Sequence, residues 1–217
     1  MKKYISVFLC LLLAFHAFCG SVKMKTEKNG NKEFFLDSTT GTLTVEHIFS
    51  KASLVSFDMR SEEVKKVVFN FVHLECFDGS FWDLISQCQI LVFNFSTCEF
   101  LEFLQYFQEL RAISFLEGNT IKNLGILDFS CNQKIEYAEF SMIDFSSLAD
   151  ILHPPHTLKY FVISGSRLKD TAFTVLDTQL PNNTTIVMSA QLSKQIKVHS
   201  VMDQAELPKL WKQFDIQ

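Results

Sequence analysis

Between Cys88 and Cys98 the chain reads CQILVFNFSTC, with Cys88, Leu91 and Phe93 at positions one, four and six of a short frame. The alternation through Leu91, Val92, Phe93 and Asn94 is that of a β-strand, whose successive side chains point to opposite faces. The frame recurs as Val64, Val67, Phe69; as Leu110, Ile113, Phe115; as Ile135, Ala138, Phe140; and as Leu158, Phe161, Ile163. Weaker copies open at Thr40, with Leu43 and Val45, and at Asn183, with Ile186 and Met188. Frames therefore open at 40, 64, 88, 110, 135, 158 and 183. So regular a period predicts repeated units, each too small to bury its own apolar edge and so stacked on its neighbours.

The segments between these strands, 81–87, 100–109, 146–152 and 171–180, carry helix-like apolar spacing. Asp170 stands as an N-cap for the last, and Pro154-Pro155 and Pro181 end two of them. The copies LKYFVISGS (Leu158–Ser166) and LGILDFSCN (Leu124–Asn132) resemble the strand motif of the leucine-rich-repeat family, LxxLxLxxN/C. The run from Ser146 to Leu180 is similar to the ribonuclease-inhibitor type of repeat. Leu124–Asn132 is out of phase and is expected on the far side of the core, because Ile135 keeps the period. The resemblance implies an α/β fold: a leucine-rich-repeat solenoid of about seven strand–helix coils with a parallel concave sheet, over residues 40–191. Phe, Ile and Val stand where the family has Leu, and the motif Asn is mostly missing. Residues 20–39 read as a polar tail and a capping strand, Glu33–Leu36. Residues 192–217 end in ELPKLWKQF, an amphipathic capping helix.

The frame also says what faces away from the core. Positions three and five place Val68, Ile90, Val92, Tyr137, Tyr160 and Val162 outward, with Phe71 and Phe95 at position eight. These eight residues are the expected binding surface for a protein partner, because exposed apolar patches mark such sites and Tyr is enriched at interface hot spots. Asn70 and Asn94 share position seven and are expected to form a side-chain ladder. The frame further predicts that Phe93→Asp destroys the fold while Val92→Asp, pointing outward, spares it.

Phe is abundant, at 23 of 217 residues, which predicts a core filled by aromatics; Phe69, Phe93, Phe115 and Phe140 share position six and should stack. Residues 1–19 carry Lys2 and Lys3, an apolar core and small Ala17 and Cys19, the pattern of a cleaved secretory signal peptide. A secreted product follows, with no later stretch apolar and long enough to span a bilayer. Its net charge moves from −4 to about −6, with no basic block, which argues against nucleic acid as a partner. The leader, the Phe-rich core and the divergent repeats also resemble secreted leucine-rich-repeat proteins of intracellular parasites such as microsporidia, which implies a host-directed role. Self-association as a wall or coat component is the alternative.

Candidate chemistry is sparse. There is no CxxC, GxSxG or Gly-rich phosphate loop, and no enzyme or cofactor is expected, an enzyme on a repeat scaffold being the remote alternative. His153 and His156 flank a Pro-Pro turn and read as a loop rather than a metal site. Glu136 and Glu139 flank one strand and are expected to face solvent. Cys76, Cys88, Cys98 and Cys131 remain after the leader; the choice lies between buried thiols and a Cys76–Cys98 bridge between adjacent coils. Sequons occur at Asn94, Asn182 and Asn183, of which Asn182 and Asn183, in a loop, are the candidates for glycosylation.

Overall fold

The computed structural model describes residues 23–26, 33–49 and 64–217; the signal-peptide expectation lies outside the described residues. In chain order the strands are β1 (Lys23–Thr26), β2 (Glu33–Asp37), β3 (Thr42–Glu46), β4 (Lys66–Asn70), β5 (Ile90–Asn94), β6 (Thr97–Cys98) and β7 (Ala112–Phe115). They continue with β8 (Thr120–Ile121), β9 (Ile126–Asp128), β10 (Tyr137–Phe140), β11 (Asp150–Leu152), β12 (Tyr160–Val162), β13 (Thr185–Met188) and β14 (Ser200–Asp203). The chain is mixed α/β, with one large, mostly parallel sheet and few helices. Ten strands make that sheet, in the order β1-β2-β3-β4-β5-β7-β10-β12-β13-β14. From β3 onward every pair is parallel, and β1 and β2 add an antiparallel edge.

The register follows the frame. Thr42, Lys66, Ile90, Ala112, Tyr137, Tyr160 and Thr185, all at position three, stand side by side across seven strands. Position-two amides carry the ladder beyond the strands: Gln89 N–H donates to Lys65 O, Arg111 to Gln89, Glu136 to Arg111 and Lys159 to Glu136. Positions four and six are buried in all seven frames. The expected aromatic column forms, with Phe69 and Phe93 stacked at 5.0 Å, Phe93 and Phe115 at 4.4 Å, and Phe115 and Phe140 at 5.4 Å. Burying each ring contributes roughly 1.5–3 kcal/mol, and each stacked pair about 0.5–1.5 kcal/mol more.

Side chains near position nine close the turns after the strands. The Ser166 hydroxyl donates to Phe140 O at 2.7 Å and accepts the Ile143 amide at 3.1 Å, both in the preceding turn. Ser96 likewise accepts from the Val72 amide. Asn119, one residue further along, donates to Phe93 O and Leu116 O and accepts the Ser96 amide. These groups are buried, and without such partners the turn amides would be left unsatisfied at a cost of about 1–3 kcal/mol each.

Of the four returns across the core expected as helices, two are helical and two are not. Gly79–Leu84 is helical, with the Asp78 carboxylate capping the Ser80 and Phe81 amides, and Asp170–Gln179 is helical, with Lys169 rather than Asp170 at the N-cap. Segment 100–109 instead forms a 3-10 turn, Glu102–Tyr106. Its buried residues are Leu101, Phe103, Leu104 and Phe107, of which Leu101, Leu104 and Phe107, followed by Leu110, recur every three positions, which suits three residues per turn. Segment 146–152 is not a helix at all. Asp150–Leu152 pairs with Ile126–Asp128 as a separate two-stranded sheet, so the out-of-phase motif lies outside the large sheet. Leu148 and Ile151, three apart and buried, fit a helix or this turn-and-strand equally well, and the edge offered by β9 decides between them.

Candidate functional site

The sheet face opposite the Phe column is where the eight candidate binding residues were expected in solvent. Most of it is covered by the chain's own C-terminus. Helix Leu207–Gln213 carries Leu207, Leu210, Trp211 and, just beyond it, Phe214 at helical spacing. This stripe and Ile216 pack on Val92, Ala112, Tyr137, Val162 and Val187 as a second apolar cluster. Phe214 stacks on Tyr137 at 4.9 Å and meets Tyr160 edge-on at 5.9 Å. Lys66 Nζ, 3.5 Å from an Asp215 carboxylate oxygen, ties down the far end. Val92, Tyr137 and Val162 are therefore buried, and Val68, Ile90 and Tyr160 half-buried. The capping helix exists, but it caps the face rather than the end of the array, because its four-residue apolar stripe finds its match there.

Glu139, expected in solvent, is fully buried beneath this segment. Its Oε2 accepts from Ser114 Oγ at 2.6 Å, Tyr137 Oη at 2.7 Å and Trp211 Nε1 at 2.9 Å, and its Oε1 from Ser141 Oγ at 2.7 Å. Burial, and then the Glu139 charge, push the Tyr137 hydroxyl's pKa well above its usual value. Glu136, on the same strand's approach, lies between Lys159 and Arg111, whose hydrogen bonds hold its carboxyl below the usual range.

What stays exposed is the rim where the strands end. Phe71 and Phe95 keep 42% and 50% of their surface in solvent. His47, Phe71, Phe95 and Met142 occupy position eight, and all four are left-handed, with φ of 54°, 56°, 49° and 60°. Their amides donate onward to Asn70, Asn94, Glu117 and Ser164 carbonyls, so the conformation extends the ladder while turning the chain back across the core. For a bulky L-residue it costs on the order of 1–2 kcal/mol. Gly118 and Gly165 hold the same conformation without that cost. The rings form a surface column: His47 stacks on Phe71 at 5.3 Å and Phe71 on Phe95 at 4.9 Å. Gly118 ends it, since a Cβ there would stand 2.2 Å from the Phe95 ring. Beside the column, Asn94 Nδ2 donates to Asn70 at 2.9 Å and Asn70 Nδ2 to Glu46 at 2.8 Å, which is the expected ladder extended by one rung.

The other candidates sort simply. Cys98 stands as a buried thiol in this structure; burial, then the nearby Glu75 charge, push its pKa up to about 12. Burial pushes the Cys88 thiol up as well. Asn182 and Asn183 are exposed in the loop before β13. His153 and His156 are exposed and apart in role: His153 Nδ1 lies 3.2 Å from Asp128, and the His156 carbonyl accepts from Asn183. Among the described residues no three His, Cys, Asp or Glu side chains gather as metal ligands would, and no helix is long and apolar enough to cross a membrane. The residues that sequence reasoning missed are Glu139 and Trp211, along with His47 as a column member. The 24-residue spacing of His47, Phe71 and Phe95 was the signal for His47, and the apolar stripe of the C-terminal helix the signal for Trp211.

No family model matches the chain, no curated protein is similar to it at a significant level, and no solved structure matches it.

Proposed function

We propose that this chain is a secreted, protein-binding leucine-rich-repeat module whose partner docks on the rim around Phe71 and Phe95. The repeat reading draws support from seven in-register frames, from the continuous Phe column, and from Ser96, Asn119 and Ser166 serving the turns near where the family motif has Asn or Cys. Sparse helices on the far side make it a divergent member. The host-directed role rests on the resemblance of the leader and the repeats.

One observation carries the binding reading. Two neighbouring Phe side chains are held at once in a disfavoured backbone conformation and half in water. Gly would hold the same turns at no steric cost, and strain kept at a surface is a sign of function. The covered sheet leaves this rim as the exposed remnant of the expected surface, Val68 and Ile90 being half-buried against the C-terminal cluster. The binding test compares wild-type chain with a Phe71→Ser/Phe95→Ser variant for capture of proteins from cells it meets. A partner held by the wild type and lost by a folded variant supports the reading; one held equally by both removes the rim from it.

Self-association is the second reading. β14 is one of the two outer strands of the sheet among the described residues, and such an edge can template pairing with another copy. Sedimentation over a wide concentration range separates the two, since only this reading requires dimers or larger species of the chain alone.

A further inference from the structure

Next to Phe95 the rim opens into a cavity of about 390 Å³, within the range of pre-formed ligand sites. The geometry points to this cavity as the seat of a basic side chain, lysine or arginine, presented by a polypeptide partner. The assignment rests on the reading that a protein docks at the rim, and it names the chemistry that docking uses.

Three features of the cavity carry it. Its apolar walls come from both structural units at this place: Phe95 and Met142 from the rim, Leu207 and Trp211 from the C-terminal helix. Aromatic faces and a thioether suit an alkyl stem ending in a cation, since a Lys or Arg head is attracted to the face of Trp or Phe. Glu139 and Glu117 are its charged lining residues, and both are acids; its other polar lining is amide or hydroxyl. An anionic ligand would meet repulsion here, and a neutral one would leave the exposed Glu117 carboxylate unused.

Glu139 adds a separate argument. It is fully buried, with hydroxyl, phenol and indole donors around it, and among the described residues no Lys, Arg or His pairs with it. Four neutral donors hold the carboxylate but do not cancel its charge, so its field acts on whatever enters the adjoining cavity. The hydrogen bond from Trp211 Nε1 fixes the indole in the wall, so binding needs no ordering of that ring. Glu117 is exposed and supplies the direct ion-pair partner. The negative net charge, about −6 without the leader, works in the same direction, drawing a basic segment toward the chain.

The test uses small probes, so it does not depend on finding the natural partner. N-acetyl-lysine methylamide, its arginine counterpart and neutral N-acetyl-norleucine methylamide are titrated into the full chain, with the Trp211 indole N–H followed by NMR. The expected result is that the cationic probes move the Trp211 resonance and bind about tenfold tighter than norleucine. High salt should weaken them, and Glu117→Gln should remove most of the difference. Phe95→Ala should weaken all three probes. Equal binding of lysine and norleucine probes, an unchanged Trp211 resonance, or a Glu117→Gln variant that binds as wild type would each overturn the assignment. A partner lost on Phe71→Ser/Phe95→Ser but indifferent to Glu117→Gln would leave rim docking standing and refute the basic anchor alone. Selective probe binding with no rim-dependent partner would do the reverse.

Discussion

Two aromatic columns run across this sheet at the same spacing, two residues apart where both are present, as at Phe69 and Phe71 and at Phe93 and Phe95. Phe69, Phe93 and Phe115 stack inside, with extended backbone and almost no surface in solvent. His47, Phe71 and Phe95 stack outside, with left-handed backbone and exposed rings. The ring geometry is nearly the same, with interplanar angles of 4° for Phe69–Phe93 and 6° for Phe71–Phe95. What differs is what each column does for the fold. The inner one removes apolar area from water and is held in relaxed conformations. The outer one keeps half its area wet and holds the backbone where Gly would sit more easily. A repeat that places an aromatic ring at both positions supports folding with one and leaves the other half in water.

The largest break should come on the inner column. Phe93→Asp puts an unpaired charge among packed rings and should abolish folding, while Phe93→Ala should cost about 3–5 kcal/mol in denaturant unfolding. Next comes the covered face. The frame alone predicted that Val92→Asp would be tolerated; with Val92 buried under the C-terminal segment, it should destabilise by several kcal/mol, on the order of 2–4. It should also release that segment, seen as early protease cleavage after Asp203.

Gly118 joins the two regions. Gly118→Ala forces an alanine to φ near +71° and drives its Cβ into the Phe95 ring. A loss of about 1–3 kcal/mol is expected, with the Phe95 ring resonances displaced. The smallest effect belongs to Glu136, whose pKa is lowered by hydrogen bonds from Lys159 and Arg111. A depressed carboxylate contributes stability that is complete above its ordinary value of 4.5 and is lost as pH falls through the lower folded value. Both cations are more than half exposed, so Glu136→Gln should lower stability by no more than ~1 kcal/mol at neutral pH and flatten that acid limb of the stability profile.

Much of the sheet was legible because strand pairing at a fixed period repeats one local pattern seven times. Positions four and six had to be buried for any unit to be stable, so register and core followed together. The returns were less legible. Apolar residues three apart, as in Leu101, Leu104 and Phe107 or Leu148 and Ile151, fit an α-helix, a 3-10 turn and a turn-plus-strand alike, and the neighbouring backbone chose. The candidate site was half legible for a different reason. Position eight could be read as partly exposed, but its left-handed backbone has no signature when Phe or Met stands there instead of Gly. Burial of Val92, Tyr137, Val162 and Glu139 depends on a helix more than forty residues further along the chain. No local pattern in those strands announces it, although the stripe Leu207, Leu210, Trp211, Phe214 demanded an apolar surface somewhere.

The most direct test of the division between the columns is the unfolding stability of a Phe71→Gly/Phe95→Gly variant, measured beside Phe93→Ala. Relief of two left-handed side chains offsets the lost stacking and the added freedom of Gly in the unfolded chain. The double variant should therefore stay within about 2 kcal/mol of wild type, with the second apolar cluster intact. A loss as large as that of Phe93→Ala would show that the outer column holds the fold together and would contradict the account.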